Sequence, residues 1–154
     1  MHIFIAFLFR ASIYVLWGLV LEIIATAVGN LFQKGWKADT KLLIGDVSLW
    51  MAPIYGCFIF FCFEPIYIVI AFLPAYVRFT IWAFCFMAVE FLVGFIYDKL
   101  FHLRPWNYDK DEGNICGYTK FSLFAFWGWG ALWVESLSLF LIYLTPQVIK
   151  YFGY

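Results

Sequence analysis

The sequence has 154 residues, 66% of them hydrophobic, 25% aromatic and only 13% charged, with ten Lys and Arg balanced by ten Asp and Glu. A soluble domain carries roughly 25% charged residues because it must cover itself with groups that water solvates. This composition excludes an ordinary soluble enzyme and a disordered segment and, lacking a basic excess, a nucleic-acid partner; what remains is an integral membrane protein, a single membrane domain over residues 1–154 whose first partner is the lipid bilayer.

A helical span needs about 20 mostly apolar residues, and four such stretches follow one another along the chain. The first covers residues 11–28 and can extend back through the apolar run from His2 to Phe9, with Arg10 snorkelling to the headgroups. Met1-His2 offers no basic region, so no cleavable signal peptide is expected. Loop one, Asn30 to Val47, is polar and holds Lys34, Lys37, Asp39, Lys41 and Asp46. The second and third spans, residues 49–73 and 78–97, are separated by so short a turn at Pro74-Ala75 that they should form an antiparallel hairpin. Loop three, Asp98 to Lys120, is the longest polar run, and the fourth span, residues 121–144, is expected to stop at Thr145-Pro146. The expected fold is therefore all-α: a polytopic membrane protein of four transmembrane helices with a long polar loop between helices three and four. Seven of the ten bases lie in loops one and three, against Arg10, Arg78 and Lys150 on the other side. By the positive-inside rule those loops are cytoplasmic and both termini outside. The echo of Pro53-Ile54-Tyr55 in Pro65-Ile66-Tyr67 lies within one span and does not make a duplicated half. Cys57, Cys62, Cys85 and Cys116 show no C-x-x-C spacing and are expected to be small apolar packers.

Each span contains one glutamate: Glu22, Glu64, Glu90 and Glu135. An ionisable side chain at the centre of a membrane helix costs roughly 2.5 to 3.5 kcal/mol on the lenient insertion scale. The four are therefore expected to face a polar interior, where they become candidate ligands for an ion or substrate. Residues three, four, seven and eight apart share a helix face, and each glutamate lies on the smallest or most polar stripe of its helix. The stripes read Tyr14, Gly18, Glu22, Thr26, Asn30; Gly56, Cys57, Phe60, Glu64, Tyr67; Phe86, Glu90, Gly94, Tyr97, Asp98; and Gly128, Ala131, Glu135, Ser138. Small residues let membrane helices approach closely, so these stripes should be packing faces. At about 1.5 Å per residue, Glu22 and Glu90 lie roughly 10 to 12 Å from the side of loops one and three, and Glu64 and Glu135 roughly 21 to 22 Å. No Lys, Arg or His lies in the central part of any span, so the carboxylates are expected to lack cationic partners, and either to be protonated and hydrogen-bonded or to share a bound cation. Pro65 removes a backbone donor beside Glu64 and should kink that helix.

Trp36, Trp50, Tyr97 and Trp106 suit an interfacial belt, whereas Trp17, Trp82, Trp127, Trp129 and Trp133 lie deeper. Aromatic faces beside carboxylates could bind organic cations, although lipid-facing packing accounts for most Phe-rich helices. Loop three offers Arg104, Trp106, Asn107, Tyr108 and Asp109 as lid residues; a compact lid and a solvated loop both fit its composition. Its Asp109-x-Asp111 start does not continue as an EF-hand, since Asn114 and Lys120 occupy the positions that need Gly and Glu. No cofactor is implied.

Several elements in order carry a family resemblance: Glu22; Ser48 through Gly56 with Pro53-Ile54-Tyr55-Gly56; Glu90-Phe91 with Gly94-Phe95; Arg104-Pro105-Trp106-Asn107-Tyr108-Asp109; Gly117; and Trp127 to Glu135. Over residues 10–145 the chain resembles the transmembrane protein 229 family, grouped with bacterial proteins catalogued as type-IV ABC-transporter permeases (CmpB-like). The family more usually has Trp-Asp-Tyr where this chain has Trp106-Asn107-Tyr108. The resemblance implies a permease-like protein; with no G-x-x-x-x-G-K-[ST] in these residues, an ATPase would be a separate subunit.

Three functions fit. The first is binding or translocation of a cation, proton or amphipathic organic cation through a glutamate-lined interior, with a homodimer or larger complex to enclose enough volume. The second is a non-catalytic membrane adaptor or transporter subunit. A lipid-modifying enzyme is third, since no Ser-His or Cys-His set accompanies the glutamates, and no catalytic residue is assigned.

Overall fold

The computed structural model describes residues 2–34, 47 and 49–152, without the side chains of residues 30–34 and 50. Loop one from residue 35 to residue 46, and the side chain of Asn30, lie outside the described residues.

Helix α1 runs His2–Lys34, beyond the expected 11–28 at both ends. Nothing from His2 to Phe9 breaks a helix, and Gly29 costs only about 1 kcal/mol relative to Ala. The second apolar stretch is not one α-helix over 49–73. It is a 3₁₀ turn, Leu49–Met51, a ten-residue π-helix, Ile54–Phe63, and a short helix α2, Glu64–Ile70. The break expected beside Pro65 takes the form of a change in helix type at Glu64, whose N–H bonds the carbonyl of Ile59, five residues back.

Helix α3, Ala75–Phe101, starts directly after Pro74, whose carbonyl accepts from the N–H groups of Val77 and Arg78 at 3.0 and 3.1 Å. It ends at His102, in the left-handed region at φ 53°. Loop three then folds into a small antiparallel hairpin, β1 (Asn114–Ile115) pairing with β2 (Thr119–Lys120). Helix α4, Phe124–Tyr151, follows a 3₁₀ turn and passes through Pro146, so the stop expected at Thr145-Pro146 does not occur. Pro146 withholds one backbone donor, but no further breaker follows before Tyr151, and Thr145 turns its hydroxyl to the carbonyl of Leu141 at 2.7 Å.

Among the described residues, three helices are long and apolar enough to cross a bilayer: His2–Gly29, Ala75–Phe101 and Phe121–Tyr151; the apolar helix Ile54–Ile70 is shorter. Large side chains such as Phe72, Trp129 and Trp133 are more than half exposed, an outer surface suited to lipid.

The chain forms two compact units, residues 1–65 with 141–154, and residues 66–140. In the first, α1 packs on the π-helix, with Gly56 close against Ala11 and Val15, and the Phe7 ring 5.3 Å from that of Phe60. In the second, Trp82 is fully buried, Phe86 stacks on Trp127 at 5.5 Å, and Gly128 leaves room for the Phe79 ring. Cys57 and Cys62 are exposed, not packed as expected; about one π turn apart, they share an outward face.

Candidate functional site

In the first unit, Arg10 of α1 reaches Glu64 at 3.3 Å, and Tyr14, one turn further along and fully buried, donates its hydroxyl to the same carboxylate. In the second unit, Arg78 of α3 forks onto Glu135 at 3.0 to 3.1 Å, and Trp82, one turn further, donates its indole N–H at 2.7 Å. Glu64 and Glu135 are both buried. The expectation that the carboxylates lack cationic partners fails for this tier, for a geometric reason. Arg10 and Arg78 lie toward the N-terminal ends of α1 and α3, away from the loops from which depth was counted, and a long arginine side chain spans the gap to the carboxylate. Distance counted from one side alone hid these partners.

The other two glutamates are held differently. The Tyr55 ring lies against Gly18, where a Cβ would meet ring atoms at 2.5 Å, and its hydroxyl donates to Glu22, one turn on, at 2.8 Å. Glu90, buried in α3, accepts from Tyr108 at 3.0 Å, Thr119 at 2.5 Å and the indole of Trp127 at 3.2 Å. Among the described residues no arginine, lysine or histidine forms an ion pair with Glu22 or Glu90.

Two of the donors to Glu90 come from loop three, which packs as a compact hairpin against α3. Trp106 donates to the carbonyl of Tyr118 at 2.6 Å, and both side chains settle over Gly94, where a Cβ would meet them at 3.2 to 3.3 Å. Arg104 bridges Asp98 at 3.2 Å and Asp109 at 2.8 Å, and Tyr118 donates to Asp98 at 2.6 Å. Hydrogen bonding to Asp98 holds the Arg104 guanidinium and the Tyr118 phenol above their ordinary pKa ranges. Asn107 accepts the N–H of Asp109 at 2.8 Å through its amide oxygen, a role that an aspartate would fill equally well. Cys116 and Gly117 both have positive φ, and a Cβ at Gly117 would lie 1.9 Å from a carboxylate oxygen of Asp109.

Of the predicted candidates, Tyr14 joins Glu64, while Asp98 joins the loop-three cluster and not a deep site. Tyr67 is buried on the stripe of its helix. Arg10, Arg78, Tyr55, Trp82, Thr119 and Trp127 were not singled out as partners. The aromatic side chains meet the carboxylates through N–H and O–H groups, not ring faces. Several faces are already taken by the protein's own cations: Arg10 over Phe60 at 4.6 Å, Lys120 over Tyr108 at 4.7 Å and Arg104 over Tyr118 at 5.3 Å. Among the described residues, no three His, Cys, Asp or Glu side chains gather as a metal site would require.

Residues 7–152 match the family model described as "Putative ABC-transporter type IV". No curated protein and no solved structure matches the chain.

Proposed function

The chain belongs to this type-IV ABC-transporter family, and from that premise we propose that it is a permease-like membrane subunit that binds or translocates a proton or small cation at Glu90 and Glu22. The observation that carries the reading is the contrast in partners: Glu64 and Glu135 are answered by Arg10 and Arg78, whereas Glu90 is buried among three neutral donors. Lys120, paired with Asp111, acts on Glu90 only through space, and a buried carboxylate that no cation pairs among the described residues is where a mobile positive charge gains most. An inorganic cation or proton suits the site better than an organic cation, because aromatic edges, not faces, line the carboxylates. In this reading all four apolar stretches cross the membrane, loops one and three are cytoplasmic, both termini lie outside, and a separate ATPase subunit or a further copy completes the assembly.

Flux of protons or alkali cations down an imposed gradient into proteoliposomes tests the reading. Glu90→Gln should remove the flux and Glu22→Gln reduce it, while Glu135→Gln should lower stability and leave flux per folded molecule intact. Wild-type flux in both Glu90→Gln and Glu22→Gln would overturn it. A non-catalytic adaptor or transporter subunit is the second reading, favoured by each of the four carboxylates having a donor within its own unit. It predicts no flux in any variant and a membrane partner that co-purifies in mild detergent.

A further inference from the structure

Helices α1 and α3 carry residues of matching chemistry in the same register. Arg10, Tyr14 and Glu22 stand at intervals of four and eight, as do Arg78, Trp82 and Glu90, and Ser12-Ile13 recurs as Thr80-Ile81. The helices that follow carry a matching set: Tyr55-Gly56 and Glu64, then Trp127-Gly128 and Glu135.

The contacts correspond one for one. Arginine meets the second helix's glutamate, Arg10 with Glu64 and Arg78 with Glu135. The aromatic one turn on donates to that same glutamate, through Tyr14 and Trp82. In the other direction, the second helix's aromatic donates to the first helix's glutamate, Tyr55 to Glu22 and Trp127 to Glu90. Even the glycines agree: Gly56 faces Ala11 and Gly128 faces Phe79, each the residue after the arginine. One spacing differs, nine residues from Tyr55 to Glu64 against eight from Trp127 to Glu135. It falls in the π-helix Ile54–Phe63, whose hydrogen bonds close over one more residue per turn and so absorb an insertion.

A common need to neutralise deep carboxylates would account for two arginines. It would not place a donor, a second carboxylate, a returning aromatic and a glycine at corresponding positions in both hairpins. We infer that the chain is two tandem copies of one helical-hairpin plan, with Glu22 the counterpart of Glu90. Each copy consists of an arginine–carboxylate lock at one end and an aromatic-capped, arginine-free carboxylate at the other. The inference stands independently of transport.

The full-length protein in detergent tests it by thermal unfolding. If Trp82 and Trp127 are the counterparts of Tyr14 and Tyr55, a tyrosine at either position should supply the missing donor. Trp→Tyr and Trp→Phe remove nearly the same volume and differ chiefly by the hydroxyl. Trp82→Tyr and Trp127→Tyr should each melt about 2–4 °C above the corresponding phenylalanine variant. Tyr14→Phe and Tyr55→Phe should each lower the melting temperature by a similar amount. A tyrosine variant no more stable than its phenylalanine partner at either position would overturn the equivalence, as would a Tyr14→Phe or Tyr55→Phe variant as stable as wild type.

Discussion

Arg78 forks onto Glu135 while Trp82 supplies a third donor, so the carboxylate is satisfied at a buried position. Removing one partner strands the other. Arg78→Gln is expected to destabilise the protein by about 3–5 kcal/mol, and the apolar pair Arg78→Met with Glu135→Leu to recover most of that. Thermal or denaturant unfolding in detergent of the two single variants and the double variant measures both. The glutamates stand out in the sequence because charge is so rare in these spans. Their arginines do not, because a linear count assigns Arg10 and Arg78 to the membrane edge and ignores the reach of the side chain.

Loop three is an element that composition left open between a packed and a solvated loop. Packing is decided by Glu90, whose oxygens meet Tyr108 and Thr119 from a segment eighteen or more residues away. Thr119→Val should weaken the packing of loop three by about 1–3 kcal/mol, since it leaves a buried acceptor short of a donor, and hydrogen exchange of the Tyr118 and Thr119 amides should accelerate. Gly117→Ala should do the same through a different cause: φ is +73° and the new Cβ would collide with Asp109, a strain of about 1–3 kcal/mol. The hydrogen bond to Asp98 raises the pKa of Tyr118 above the ordinary phenol range. A raised phenol stabilises the fold below the unfolded-state pKa, and that contribution is lost as pH rises through the folded-state value. Asp98→Asn should therefore bring one tyrosine's ionisation to lower pH in an absorbance titration, and narrow the alkaline range over which loop three stays packed.

Over the whole molecule, side-chain exposure makes the proposed topology testable with native cysteines. Cys57 and Cys62 are exposed on an apolar helix and Cys116 at the turn of loop three. A membrane-impermeant maleimide applied from the cytoplasmic side should label Cys116, and applied from outside should not. Cys57 and Cys62 should react only with a lipid-soluble reagent. Labelling of Cys116 from outside would reverse the proposed orientation.

Sequence alone determined that this is an integral membrane protein, where its apolar stretches lie and that each of them carries one glutamate. Each depends on composition or on a period of a few residues, which a linear reading preserves. The tertiary structure decided which carboxylates are paired with arginines, which accept from neutral donors, and that loop three packs on α3. The partners concerned are eighteen to fifty-seven residues apart, and only folding brings them within hydrogen-bonding distance. It also divided the second apolar stretch into a 3₁₀ turn, a π-helix and a short α-helix, which hydropathy along the chain does not distinguish.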